Sequence, residues 1–168
     1  MSENGASAID PNTMSIIVTK GSLDWAYPPF ILGSTAAAMG LDVTMFFTFY
    51  GLSLLKKDLN LKVTPLGNAA MEMPMAGGHM VMPNIVGMLP GVDAVASKMM
   101  KNLIKKNGVA SVEELRELSV EADVRIIACQ MTLELFDYKK EDLIDGVEIG
   151  GAATYIEVAT QSHINLFI

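Results

Sequence analysis

The chain has 168 residues, a net charge of −7 and a single cysteine. This length fits one domain whose hydrophobic core is large enough to fold without disulfide bonds or a structural metal. One cysteine and two histidines are too few ligands for a structural zinc site. The single cysteine also excludes an internal disulfide and agrees with a reducing compartment, while the acidic balance argues against nucleic acid as a partner.

Short apolar runs, typical of buried strands, alternate along the chain with segments of helical pattern. Residues 1–13 are expected to form a disordered leader rather than a signal peptide. The predicted strands are 14–19, 41–49, 124–129, 147–149 and 163–168. The predicted helices are 22–39, 50–58, 92–105, one opened by the capping box at 111–114, 130–136, 139–143 and 152–161. This alternation predicts a single α/β domain over 14–168, an open, mostly parallel sheet of about five strands with helices on both faces.

Residues 62–91 form an insertion rich in Met, Gly and Pro, without a convincing period. A long irregular segment in a compact domain is usually functional or mobile. Its thioethers and one imidazole could hold Cu(I), but methionine more often fills gaps or covers surfaces that re-pack on partners. We therefore predict no metal and an apolar flap that covers a reactive site or docks a carrier. The flap candidates are Met73, Met75, His79, Met80 and Met82.

Cys129 is the candidate nucleophile. It ends the third predicted strand and stands directly before a helix, at the carboxyl edge of the sheet where ligands collect in such folds. The free N–H groups at the start of that helix point toward the sulfur and favour the thiolate. Gln130 and Met131, the first residues of the helix, are therefore the predicted supporting residues. The alternative, an inert cysteine that packs as a small hydrophobe, stays open.

Weaker candidates occupy the ends of two other strands. Lys20 follows the first strand and could pair with a thiolate or another anion, although a solvated loop lysine is the simpler interpretation. Gly150 and Gly151 open a helix after a short strand and could present backbone N–H groups to an anion. A plain tight turn is favoured there, because glycine is the usual residue of such turns.

Four segments resemble the DsrE/DsrF-like family of sulfur-handling proteins, in the branch with a Met-rich insertion. They are FFTFYGLSLLKK from Phe46 to Lys57, ACQMTLELF around Cys129, LIDGVEIGGAATYIEVA from Leu143 to Ala159, and the final NLFI. The resemblance implies a parallel α/β fold of flavodoxin-like layout, a homo-oligomer, and a cysteine that carries sulfane sulfur as a persulfide. In this sequence that cysteine can only be Cys129, which leaves a single-thiol relay in which a partner's thiolate attacks the outer sulfur.

The leading hypothesis is therefore a cytoplasmic sulfur carrier or sulfurtransferase component without a cofactor. Its partners would be a protein sulfur donor, such as a rhodanese-like or small sulfur-carrier protein, and a protein acceptor. Two alternatives stay open: a thiol peroxidase or redox sensor acting through Cys129, and a non-catalytic oligomeric binding module with an inert cysteine. The hydrophobic share of 51% independently predicts a homo-oligomer, and no apolar run approaches the roughly 20 residues of a membrane span.

Overall fold

The computed structural model describes the backbone of residues 10–64, 72–75, 78–81 and 83–168, and the side chains of residues 12–64, 83 and 85–168. This part of the chain divides into two compact units. The first contains the residues up to Gly21, Trp25–Leu59 and Val112–Ile168, and the second contains Ser22–Asp24 and Asn60–Ser111. The single domain expected over residues 14–168 stays a prediction.

Strands and helices alternate, as the apolar pattern predicts. The described strands are β1 Asp10–Val18, β2 Asp42–Phe47, β3 Glu72–Met75, β4 Gly78–Val81, β5 Arg125–Cys129, β6 Glu148–Gly150 and β7 Ser162–Phe167. The described α-helices are α1 Leu23–Ala38, α2 Asn84–Gly87, α3 Val92–Lys106, α4 Val112–Glu121, α5 Gln130–Leu135 and α6 Ala152–Gln161. Two 3₁₀ helices, η1 Phe49–Leu55 and η2 Lys140–Asp142, follow β2 and α5.

Five strands of the first unit form one sheet in the order β6-β5-β2-β1-β7, and every neighbouring pair is parallel. Successive side chains of β2 point to opposite faces, as they must in a strand. The Phe47 ring lies 5.8 Å from Phe30 of α1, whereas the Phe46 ring lies 5.2 Å from Tyr155 of α6. Helices therefore cover both faces, which confirms the predicted α/β architecture.

The first strand is longer than the apolar pattern indicates. β1 begins at Asp10, inside the predicted leader 1–13, and Thr13 already pairs with Asp42 of β2. Polar residues can open this strand because its backbone pairs with a strand on each side, β2 and β7, and ladder hydrogen bonds do not depend on the side chains. Residues 1–9 lie outside the described residues.

The insertion at 62–91, predicted to be irregular, contains regular structure in the second unit. β3 and β4 pair antiparallel from Glu72 opposite Val81 to Met75 opposite Gly78, and α2 follows. A two-stranded hairpin tolerates Pro74, because each strand is an edge strand and a missing N–H group can face away from its partner. The side chains of Met73, Met75, His79 and Met80, and all of Met82, lie outside the described residues. The flap stays a prediction.

In the first unit, η1 crosses the end of β1 at very short range. The Gly51 N–H group donates to the Thr19 carbonyl oxygen at 2.9 Å, and a Cβ atom at Gly51 would lie 2.3 Å from the Val18 carbonyl oxygen. A Cβ atom at Gly21 would likewise lie 2.2 Å from the Ser53 hydroxyl oxygen. These two glycines allow a backbone-to-backbone approach that no other residue type fits.

Arg116 of α4 fixes the other end of η1. Its guanidinium is buried and donates to the carbonyl oxygens of Leu54 at 3.0 Å and Lys56 at 2.6 Å. These carbonyls lie at the carboxyl end of η1, where the last carbonyl groups of a helix lack partners within it. Burial lowers the pKa of Arg116, and neighbouring Glu113 and Glu117 oppose this effect. η1 is thus held at both ends.

We predict that Gly51→Ala destabilises the protein by about 3 kcal/mol, near the upper end of the range for overpacking, because the obstructing atom is backbone rather than a flexible side chain. Gly151→Ala is the matched control, since a Cβ atom there meets nothing within 4 Å. Urea unfolding of both variants measures the difference. Equal midpoints for the two variants would contradict the close approach of η1 to β1.

Candidate functional site

Cys129 is the last residue of β5 and lies beside Gly150, the last residue of β6. Its side chain points to the α6 face of the sheet, where it packs with Phe46, Ile127 and Tyr155. The residue is only 4% exposed. The sulfur therefore sits where an apolar core meets the carboxyl edge of the sheet.

The strand order predicts a crevice at this position. The crossover from β1 through α1 to β2 runs in the same direction across the sheet as the crossover from β5 through α5 to β6. Both are expected on the same face, because such crossovers are right-handed. After β6 the chain instead enters α6, which packs on the opposite face. Neighbouring strands whose chains leave to opposite faces open a crevice between their carboxyl ends, the usual ligand site of such sheets.

Polar groups from two elements surround the sulfur and lower its pKa. Burial raises the pKa of the Cys129 thiol, but the hydroxyl and N–H groups of Thr132 and the hydroxyl of Thr48 more than offset this effect. The Met131 N–H group adds a smaller contribution. The net result is a pKa below the ordinary value, so the site favours the thiolate, the reactive form of cysteine.

The two threonine hydroxyl groups lower the thiol pKa more than the N–H groups at the start of α5 do. Cys129 occupies the N-cap position of α5 with an extended backbone, but its side chain makes no regular capping hydrogen bond. Thr48 follows β2 directly, one residue beyond the pairing of Phe47 with Ala128. Thr48 Oγ1 lies 3.1 Å from Thr132 Oγ1, which also accepts the Phe49 N–H group at 3.2 Å. Residues from two distant segments thus converge on one sulfur atom.

Exposed apolar residues lie close to the two threonines in the sequence. Phe49, Tyr50, Met131 and Leu135 are all exposed, and the Tyr50 ring stacks on Phe136 with centroids 5.8 Å apart. Apolar side chains grouped on a surface commonly mark contacts with other molecules. We call the side chains of Phe49, Tyr50, Met131 and Leu135 the apolar rim, and their exposure leaves them accessible to a partner.

The supporting residues predicted from the sequence have different positions. Met131 contributes its N–H group, whereas the exposed Gln130 side chain donates to Glu134 at 3.0 Å. The Lys20 ammonium lies over the Trp25 ring, 3.1 Å from its centroid. In the described residues no contact joins Gln130 or Lys20 side chains to the sulfur.

The two glycines also differ from each other. Gly150 is buried, and a Cβ atom there would lie 2.9 Å from Ile127 Cγ2, so close packing accounts for this glycine. Gly151 is the N-cap residue of α6 and has open space where a Cβ atom would be. Thr48 and Thr132 were not among the residues predicted from the sequence. Their only local signal is a threonine just after a strand end and another one helical turn beyond the cysteine.

The described part of the chain contains no group of three His, Cys, Asp or Glu side chains that could hold a metal ion. None of its helices combines the length and apolar character needed to cross a membrane.

Comparison with known proteins identifies the family. Residues 10–167 match the model of the DsrE/DsrF/DrsH-like family. The chain belongs to this family. The family predicted from the four sequence segments is thereby confirmed.

Individual relatives of this DsrE/DsrF/DrsH-like chain align over nearly its whole length. It is 58% identical over 160 residues to the sulfur carrier protein DsrE2 of Allochromatium vinosum, covering 95% of this chain and 100% of that protein. It is 32% identical over 162 residues to the uncharacterized protein YrkE of Bacillus subtilis, covering 92% and 95%. The crystal structure of the ychN protein from E. coli aligns with a TM-score of 0.53 at 13% identity, over 93% of this chain and 99% of that one, and shows the same fold.

The lowered pKa of Cys129 predicts the pH dependence of its alkylation. In the native protein, the iodoacetamide rate should reach its half-maximum at a lower pH than in the urea-unfolded chain, because only the folded site stabilises the thiolate. The native plateau rate should be lower, because Cys129 is only 4% exposed. A native midpoint at or above the unfolded one would contradict the site geometry.

The same pKa difference has a consequence for stability. A thiol whose pKa is depressed on folding stabilises the native state above its unfolded pKa, roughly 8.5, and loses this contribution as the pH falls through the folded pKa. The stability of the wild type relative to Cys129→Ser should therefore increase with pH across that interval.

Proposed function

We propose that this protein is a sulfur carrier that holds sulfane sulfur as a persulfide on Cys129 and passes it to a partner protein. The observation that carries the proposal is the position of Cys129 at the carboxyl end of β5, with the hydroxyl groups of Thr48 and Thr132 beside its sulfur. The relative of 58% identity that is named a sulfur carrier protein supports it, since the alignment spans 95% of this chain.

The transfer needs one thiolate and no external oxidant. In loading, the Cys129 thiolate attacks the outer sulfur of a donor persulfide, a new S–S bond forms, and the donor S–S bond breaks with its electron pair leaving on the donor thiolate. In delivery, an acceptor thiolate attacks the outer sulfur of Cys129 persulfide, and Cys129 leaves as a thiolate. Each step exchanges one S–S bond for another. A second cysteine in this chain is not required.

The partners in this proposal are proteins: a rhodanese-like or small sulfur-carrier donor and an acceptor with its own thiolate. The apolar rim formed by Phe49, Tyr50, Met131 and Leu135 supports contact with a protein surface. Contact at the rim would also exclude water from the persulfide during transfer.

We also propose a cytoplasmic location and a homo-oligomer. A lone free thiol suits a reducing compartment, where it is not drawn into disulfides. Subunit contact is supported by exposed apolar side chains on β6, α6 and the edge strand β7: Ile149, Ile156, Ile164 and Phe167.

Incubation with a persulfide donor, followed by intact-mass measurement, tests the proposal. The wild type should gain the mass of sulfur, Cys129→Ser should not, and the loaded wild type should transfer its sulfur to an acceptor thiol protein. A matched control moves the thiol to an exposed helical position, as Cys129→Ser with Thr35→Cys. This control should transfer sulfur no faster than a small free thiol, because it lacks the surrounding donors.

Two outcomes would contradict the proposal. One is a wild type that takes up no sulfur although its thiol reacts with iodoacetamide under native conditions. The other is equal loading and delivery by the wild type and by the variant with the relocated thiol, which would show that the site contributes nothing beyond a thiol.

A further inference from the structure

The two hydroxyl groups beside Cys129 differ in how their protons are directed. A hydroxyl oxygen has one proton to donate and two lone pairs. One lone pair of Thr132 Oγ1 accepts the Phe49 N–H group at 3.2 Å. Thr132 is only 1% exposed, so its proton must be donated inside the protein. The nearby acceptors are Thr48 Oγ1, at 3.1 Å, and the Cys129 sulfur.

The backbone conformation of Phe49 supports a fixed role for this hydrogen bond. Its φ angle is 48°, in the left-handed region that costs a side-chain-bearing residue of order 1 kcal/mol or more. Asp123 and Asp137 also have positive φ angles, but they lie in turns after α4 and α5, where aspartate tolerates this conformation. An aromatic residue has no such local reason. The strained conformation occurs where its N–H group contacts Thr132.

We propose that Thr132 is a positioning residue for sulfur transfer: its hydroxyl, oriented by the Phe49 N–H group, donates its proton to the anionic Cys129 sulfur, with Thr48 as an adjustable second donor. The N–H groups of Thr132 and Met131 in α5 also lower the pKa of the thiol, but the Thr132 hydroxyl has the larger effect. The inference rests on the proposed function only for the transfer steps, because the thiolate can be measured without any sulfur donor.

Loss of the Thr132 proton affects the two transfer steps differently. We expect Thr132→Val to raise the thiol pKa by about one unit, the size of one charge-assisted hydrogen bond. At a pH below the thiol pKa of both the wild type and the variant, the variant has about tenfold less thiolate, but each thiolate is about threefold more nucleophilic. Loading of the variant is then about threefold slower. At a pH above both thiol pKa values, loading of the variant is about threefold faster, because both proteins are fully ionised. Delivery slows at every pH, because Cys129 becomes a poorer leaving group.

The experiment measures iodoacetamide alkylation against pH for the wild type, Thr132→Val, Thr132→Ser and Thr48→Val, followed by loading from a small-molecule persulfide. Thr132→Ser keeps the hydroxyl and should restore the wild-type midpoint. Thr48→Val leaves the directed donor in place and should shift the midpoint by less than Thr132→Val does. A purely structural role for Thr132 would slow both steps at all pH values and would not produce the reversal in loading.

Three results would overturn the inference: an unchanged midpoint in Thr132→Val, no rescue by Thr132→Ser, or a larger shift in Thr48→Val than in Thr132→Val. If Thr132→Val does not fold, the test rests on Thr48→Val, whose alkylation midpoint must stay at a lower pH than that of the unfolded chain. An alkylation midpoint equal to that of the unfolded chain would overturn the role of Thr132. Normal alkylation shifts without any sulfur loading would reject the proposed function and leave the positioning role intact.

Discussion

An anionic sulfur can remain at the edge of an apolar core only if protein donors replace the water that it loses. Cys129 meets this condition with few groups. The residue is almost fully buried against Phe46, Ile127 and Tyr155, which alone would raise its pKa. The two threonine hydroxyls and the backbone N–H groups reverse that effect. The position of these donors, rather than the position of the cysteine itself, therefore determines whether the site is reactive.

The donors depend in turn on the placement of η1. Thr48 and Phe49 open this segment, Gly51 allows it to lie against the end of β1, and Arg116 holds its last carbonyl groups. Burial of this guanidinium is costly, and the neighbouring Glu113 and Glu117 offset only part of the cost. A small displacement of η1 would move the Thr48 and Phe49 groups away from Thr132. Stability and thiolate chemistry are thus coupled through one short helix.

The sequence indicates those features that depend on local pattern. The five parallel strands, the helices and the strand-end position of Cys129 follow from apolar runs and their boundaries. The pairing of Thr48 with Thr132 does not, because the two residues are 84 positions apart and meet only once β2 and β5 are neighbours. The role of Gly51 also cannot be predicted from the sequence, because it depends on how closely η1 approaches β1. The β3–β4 hairpin was missed because Met and Gly give no alternating pattern.

A lowered thiol pKa has unequal effects on the two halves of a persulfide relay. When Cys129 is the nucleophile, a lower pKa provides more thiolate but makes each thiolate less nucleophilic, so the two effects partly cancel. When Cys129 is the leaving group, a lower pKa accelerates the step without an opposing effect. Donors fixed around the sulfur therefore favour release over capture. This bias suits a carrier, whose bound sulfur must be given up readily once an acceptor thiolate reaches the crevice.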